Sequence, residues 1–305
     1  MPTFDHDGVS LELLALLRAA RETGALDALV ESAGTPTAVA ETAGIDADAA
    51  SVLVSTLADA GFLEPVDGEY ELTNRGLGFL AKRDLRSIGP LPHALDRLGD
   101  LAALPEAMAS GRSRHDEDGT RRRNRLGADA ATPVTTVRAR VTAAVRTAPE
   151  ATSIVDLRGQ SGVHAREFAA RGFDATLSED AATVEAVGPL LEPTDVAVAA
   201  GAVPPADLAF GVDVVARHAP EELSRLLADV AGAFDDGTLV LVEAVRGESA
   251  AAPAVAVESL ATGGAGVRTP DEHRRALEAA GFDAVSVRSI PGTGRAAVVA
   301  HRGVD

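Results

Sequence analysis

Ser153-Ile154-Val155-Asp156-Leu157-Arg158-Gly159-Gln160-Ser161-Gly162 is the stretch on which the reading of the whole chain turns. A short apolar run, Ile154 and Val155, meets an acid, Asp156, and a turn-like segment follows as far as Gly162. Residues 164–170 then have the composition of a helix, and residues 174–178 that of a second strand ending on another acid, Glu179. Strand, tight turn, helix, strand and acid make one βαβ unit. In such a unit the helix N-terminus accepts the negative end of a ligand, and the second acid accepts hydrogen bonds from ribose hydroxyls. The turn holds two glycines where a nucleotide-binding fingerprint holds three. Arg158 and Gln160 carry side chains where backbone approaches a ligand closely.

Downstream the alternation continues. Residues 195–199 and 206–210 read as short apolar strands, and 238–245 as a buried one. Pro220-Glu221-Glu222 opens an amphipathic helix carrying Leu223, Leu226, Leu227 and Val230, and Thr269-Pro270-Asp271-Glu272 starts another that ends near Gly281. Residues 284–290 and 296–301, joined by Pro291-Gly292-Thr293-Gly294, form a closing antiparallel pair. Repeated βα units predict a Rossmann-like α/β domain, its sheet mostly parallel, its last strand antiparallel, and both faces covered.

Upstream, Leu11, Leu13, Leu14, Leu16 and Leu17 share a helical face, and residues 26–30 continue it. Thr35-Pro36 begins a short helix that Gly44 ends. Asp46 caps a longer one bearing Ala50, Leu53, Leu57 and Ala60. Residues 62–66 and 69–72 flank Asp67-Gly68, a hairpin signal, so helix, turn, helix and hairpin spell a winged helix. Residues 46–60 contain no Lys or Arg, so this module is expected to pack and dimerise rather than read DNA. Residues 79–108 read as further helix with breaks at Gly89-Pro90 and Pro92-His93. Between Gly111 and Ala128 the composition turns polar, through Ser113, His115 and Arg121-Arg122-Arg123, which predicts a mobile loop or linker. Its arginines balance nearby acids or, alternatively, contact an anionic substrate. Val134, Val137, Val141 and Val145 mark a packing helix. The expected domains are 1–105, a linker with packing helix over 106–150, and 151–305.

Composition narrows the function. The chain has 305 residues, 46% of them hydrophobic, and no cysteine, so disulfides, thiolate nucleophiles and cysteine metal sites are excluded. No apolar run reaches the ~18 residues of a membrane span, and residues 1–7 lack a signal-peptide pattern. A cytoplasmic protein is expected. The formal net charge is −18, and of 28 basic residues only Lys82 is a lysine. Acid excess with lysine nearly absent resembles proteins that work in concentrated salt, where self-repulsion is screened. A GC-rich genome accounts for the arginine bias but not for the acids. Such a charge also disfavours nucleic-acid binding.

The order of these segments resembles the class I S-adenosylmethionine-dependent O-methyltransferases with an N-terminal winged-helix dimerisation domain, of caffeate and hydroxyneurosporene type, in a haloarchaeal-like composition. Its best stretches are Asp59-Ala60-Gly61-Phe62-Leu63, Ile154-Val155-Asp156, Asp235-Asp236-Gly237 through Glu243, and Thr269-Pro270 through Gly281-Phe282. The resemblance implies S-adenosylmethionine as cofactor, a small-molecule hydroxyl as methyl acceptor, and a homodimer without nucleic acid, membrane or metal. It makes Asp156 to Gly162, with Arg158 and Gly159, the methionine-binding turn and Glu179 the ribose acid. The family turn reads acid-x-Gly-x-Gly-x-Gly, and here Arg158 and Gln160 replace its first two glycines. The family's adenine-contacting acid is replaced near Ala202. Its catalytic His falls at Ala216 or Arg217, which leaves His218, one or two places on, as the candidate base. These departures also admit a second reading, a catalytically degenerate relative acting as a dimeric scaffold, sensor or regulator.

Overall fold

A computed structural model describes residues 9–31, 34–80, 85–111 and 118–303. The chain divides into two compact units, one ending at Gly99 and the other beginning at Asp100.

The first unit is built by strong local signals. α1 (Leu11–Glu22) is capped by Ser10, whose hydroxyl accepts the N–H of Leu13, and it buries Leu14, Leu17 and Ala20. α2 (Ala25–Glu31) follows. Thr35 caps α3 (Pro36–Ala43) and Gly44, at φ +66°, closes it. Asp46 caps α4 (Ala47–Asp59) by accepting the N–H groups of Asp48 and Ala49, a device that contributes about 1 kcal/mol. β1 (Leu63–Val66) and β2 (Glu69–Leu72) pair antiparallel across Asp67 and Gly68, both at positive φ as a tight hairpin demands. α5 (Asn74–Leu80), α6 (Leu85–Ile88) and α7 (Leu91–Ala102) complete the unit, whose boundary falls inside α7. Leu17, Val39, Leu53, Leu57, Phe62 and Leu95 meet in its core. The expected break at Pro92-His93 is absent. Pro92 lies in the first turn of α7, where its missing N–H would have had no partner.

In the second unit, α8 (Leu104–Ser110) is followed by α9 (Gly119–Ala130) and α10 (Val134–Thr147). The expected loop over 111–128 is therefore corrected. Asp118 caps α9 by accepting the N–H groups of Thr120 and Arg121, both at 2.8 Å, so its polar residues sit on a helix; 112–117 lie outside the described residues. Then come β3 (Ser153–Leu157), α11 (Val163–Ala170), β4 (Asp174–Glu179), α12 (Ala181–Leu191), β5 (Ala197–Ala200), β6 (Leu208–Val212), α13 (Val214–Arg217) and α14 (Pro220–Ala233). β7 (Gly237–Glu243), α15 (Ala252–Thr262), α16 (Pro270–Ala280), β8 (Ala284–Ile290) and β9 (Arg295–Arg302) end the chain.

The seven strands form one sheet in the order β5-β4-β3-β6-β7-β9-β8. The first five run parallel, and β9 lies antiparallel between β7 and β8. β3, β6 and β7 are almost wholly buried, which is why they read as continuous apolar runs rather than alternating ones. Phe168 of α11 stacks edge-on against Phe210 of β6 at 5.2 Å and fixes the helix to the sheet. The strand order reverses at β3: the chain passes to β4 and β5 on one side, then returns to β6 on the other. That reversal opens a crevice at the carboxyl ends of β3 and β6.

Candidate functional site

Asp156 stands at the carboxyl end of β3 and is fully buried. Its Oδ2 accepts the N–H of Ala165 in α11 at 3.0 Å, and a Cβ at position 159 would collide with that same oxygen, so Gly159 is required on steric grounds. Burial first, and the nearby Asp129 second, push the Asp156 carboxyl well above the ordinary carboxylate range, which favours its protonated form.

The turn itself bends through left-handed backbone at every second residue: φ is +51° at Arg158, +54° at Gln160 and +74° at Gly162. A glycine adopts this conformation freely, whereas each of the other two residues costs about 1–2 kcal/mol. The glycine-turn conformation persists here without two of its glycines. The strain is held by contacts from several elements. Arg158 N–H donates to Ser178 O at 2.8 Å, and Gln160 N–H donates to Glu179 Oε1 at 2.9 Å. Arg217 Nη2 donates to Arg158 O at 3.0 Å and to Val212 O at 2.8 Å, tying the turn to β6.

Glu179, at the end of β4, is 5% exposed and faces this turn. Its Oε2 accepts the Asp180 N–H at 3.2 Å and lies 3.9 Å from Arg158 Nη1, while Arg158 Nη2 lies 3.6 Å from Glu222 Oε1 at the start of α14. Asp156, Arg158, Gly159, Gly162 and Glu179 are thus brought together. α9 adds two residues that the linear reading missed. Arg125 donates to the Gln160 side-chain oxygen at 2.7 Å, and Asp129 Oδ2 accepts both the N–H of Ser161 at 3.0 Å and its hydroxyl at 2.5 Å. Their spacing of four, behind the Asp118 cap, was the available signal for one helix face.

In α13, just after β6, Ala216 is buried and Arg217 is committed to backbone carbonyls, so neither supplies a base. His218 is 8% exposed, and its Nδ1 lies 2.7 Å from Val214 O. A carbonyl only accepts, so Nδ1 carries the proton and Nε2 is the basic nitrogen. Burial, then Arg217, lowers the His218 pKa below its usual value; Glu222 and Arg158 are close enough to bias it in opposite directions. Nearby, Glu243 ends β7 with Oε1 accepting the Val215 N–H at 3.0 Å, and burial followed by Asp213 raises its carboxyl to about 8. Asp213 is itself held in a two-pronged pair by Arg295 at 2.8 and 3.0 Å. Where an adenine-contacting acid is expected, Ala202 O accepts the Ser178 hydroxyl at 2.6 Å. Among the described residues no group of three acid or imidazole side chains is placed to hold a metal ion, and no helix is long and apolar enough to cross a membrane.

No family model and no curated protein matches the sequence. Solved structures do match. The mitomycin 7-O-methyltransferase MmcR superposes with a TM-score of 0.69 at 21% identity, covering 95% of this chain and 93% of that one. Human N-acetylserotonin methyltransferase, in complex with S-adenosylmethionine, gives 0.63 at 21% identity over 96% and 94%. The O-methyltransferase NcsB1 from neocarzinostatin biosynthesis, bound to S-adenosylmethionine and 2-hydroxy-5-methyl naphthoic acid, gives 0.62 at 17% identity over 97% of both chains. The chain therefore has, along nearly its full length, the fold of these methyltransferases.

Proposed function

We propose that this chain is an S-adenosylmethionine-dependent methyltransferase acting on a hydroxyl of a small molecule. The observation that carries this reading is the left-handed backbone at Arg158, Gln160 and Gly162 facing Glu179, at the strand-order reversal of a methyltransferase fold. The residues present fit the cofactor. Glu179 receives one N–H on each oxygen, and a carboxylate has about four lone-pair positions, so both oxygens retain one for a ribose hydroxyl. Arg158 approaches Glu179 and Glu222 at 3.9 and 3.6 Å, too long for hydrogen bonds. The part-exposed pair with Glu222 contributes about 0–1 kcal/mol. The guanidinium is thus lightly held and suits the carboxylate at the cofactor's amino-acid end.

Bound S-adenosylmethionine supplies a methyl group already activated on a sulfonium, so the protein mainly aligns acceptor and donor. Glu179 and the 158–162 backbone hold and orient the donor. His218, neutral and with Nε2 as its basic nitrogen, takes the proton of the acceptor hydroxyl. A base weakened by burial suits a phenol or enol better than an alcohol. Equilibrium dialysis against methyl-labelled S-adenosylmethionine in concentrated KCl tests the reading: saturable binding is expected, and none at millimolar cofactor rejects it.

One observation favours a second reading, a degenerate scaffold or sensor. Arg158 lies between Glu179 and Glu222, and Asp129 occupies the Ser161 donors, so the chain's own side chains fill contacts that a ligand would make. On that reading the double variant Arg158→Gly, Gln160→Gly gains cofactor binding that the natural protein lacks.

We assign residues 1–105 to a winged-helix-like dimerisation domain, 106–150 to a linker and packing helix, and 151–305 to the methyltransferase domain. α4 carries no basic residue, which speaks against DNA as a partner. The net charge of −18 supports work in a salt-rich cytoplasm.

A further inference from the structure

Near the carboxyl edge of the sheet, arginines pair with acids: Arg295 with Asp213, and Arg158 with Glu179 and Glu222. Three others do not. Arg246 in the loop after β7, Arg268 just before α16 and Arg275 on α16 line one cleft of about 520 Å³. Among the described residues none of the three has a carboxylate within ion-pair distance. The single acid lining the cleft is Glu272, whose Oε2 is engaged by the N–H and hydroxyl of Thr269 in the capping box of α16. Arg246 also borders an adjoining cleft of about 440 Å³, where Glu248 is the acid. Glu272 attracts all three arginines at longer range, yet three guanidinium groups against one lining carboxylate leave the cleft net positive in a chain of net charge −18. Arg268 is half-buried and has lost part of its hydration, so it gains most from an oxyanion.

The wall of the cleft is hydrogen-bonded to the backbone that carries the proposed base. Ala265, which lines it, donates its N–H to His218 O at 2.7 Å. Gly266 N–H donates to the Ser259 hydroxyl at 2.9 Å, and that hydroxyl donates to Ala216 O at 2.7 Å. Gly264 packs so closely on Ala216 O that any Cβ there would collide. The segment 264–268 therefore braces His218 and walls the cleft at once.

The geometry points to a binding site for the oxyanion of a ligand, a carboxylate or a phosphate monoester, held by Arg246, Arg268 and Arg275. Resting on the methyltransferase reading, that ligand is the methyl acceptor, an anionic hydroxy compound whose charged end lies in the cleft.

Calorimetric titration of the full chain tests the site, without cofactor and at fixed ionic strength in KCl. Phenyl phosphate is the probe in one arm and benzoate in the other. Saturable binding is expected in at least one arm, and the stronger arm identifies the oxyanion. Arg268→Gln and Arg275→Gln are expected to weaken it at least ~tenfold, the loss of one charge-assisted hydrogen bond. Arg268→Lys keeps the charge but loses the planar fork, and falls between. Arg274→Gln, on the same helix but outside the cleft and paired with Asp271, leaves binding within about twofold. No binding in either arm, or an equal loss in Arg274→Gln, overturns the site. Cofactor binding is measured separately. Oxyanion failure with cofactor still bound removes this site alone; oxyanion binding without cofactor binding keeps the site and removes the methyl-acceptor assignment.

Discussion

The carboxylate of Asp129 is bonded to both donors of Ser161, its backbone N–H at 3.0 Å and its hydroxyl at 2.5 Å, and so couples α9 to the turn before α11. Removing it leaves two donors short of their acceptor. Asp129→Ala is expected to destabilise the second unit by about 1–3 kcal/mol. Asp129→Asn keeps one acceptor oxygen, so thermal unfolding should rank wild type above Asn and Asn above Ala. Both variants should also bring the Asp156 pKa down, since the Asp129 charge is the second largest cause of its elevation.

Two neighbouring positions in the turn should respond oppositely to the same kind of change. Gly159→Ala forces a Cβ against the Asp156 carboxyl and is expected to cost about 1–3 kcal/mol. Arg158→Gly relieves a left-handed backbone at φ +51°, offset by the greater freedom of glycine in the unfolded chain. Urea denaturation should find it within about 1 kcal/mol of wild type. A large loss in Arg158→Gly would mean that its ion pairs matter more than their lengths indicate.

Stability should fall as pH rises through neutrality. Glu243 is raised from 4.5 to about 8, so between those values the folded chain holds a proton that the unfolded chain has released. Stability therefore decreases as pH rises through that window, by about 1.4 kcal/mol per pH unit for a full proton. His164 and His273, pushed down by burial from 6.5 to about 3 and about 4, act in the opposite sense. Below 6.5 the unfolded chain binds protons that the folded chain refuses, and stability is lost as pH falls toward those values. Glu243→Gln should lessen the decline between pH 6.5 and about 8, leaving the share that belongs to Asp156, and should leave the acid limb in place, as followed by denaturant midpoints across the range.

His218→Asn should slow methylation of an acceptor that needs deprotonation by ~10²–10⁴-fold, with little change for an acceptor already ionised. Because burial lowers its pKa, the wild-type rate should hold its plateau below the ordinary histidine value and fall only at lower pH. A pH–rate profile of the two proteins on acceptors of different acidity separates a base from a structural imidazole.

Most of the scaffold was legible because its signals are local. Thr35-Pro36 with Gly44, the Asp46 cap, Asp67-Gly68 and the Thr269–Glu272 capping box each name an element boundary, and all four appear as such. The buried runs at Val155 and Val240 marked parallel strands for the same reason. α9 was misread because its composition, Arg121-Arg122-Arg123-Asn124, looks like a loop, while the residues that make it matter, Arg125 and Asp129, bond to partners 35 and 32 positions away. α12 and α15 went unread because alanine-rich faces give little contrast between sides. The role of Arg217 was invisible too, since nothing in its neighbours predicts three backbone carbonyls around one guanidinium. The turn shows the limit best. The letters Arg158 and Gln160 argue against a glycine turn, and only their φ angles of +51° and +54° reveal that its path survives.

The most direct test of that path is calorimetric titration with S-adenosylmethionine in concentrated KCl, comparing the natural chain with Glu179→Gln. Submillimolar, saturable binding is predicted, weakened at least ~tenfold in the variant through loss of a charge-assisted acceptor for the ribose hydroxyls. No heat with the natural chain at millimolar cofactor, or equal affinity in both proteins, would contradict the account.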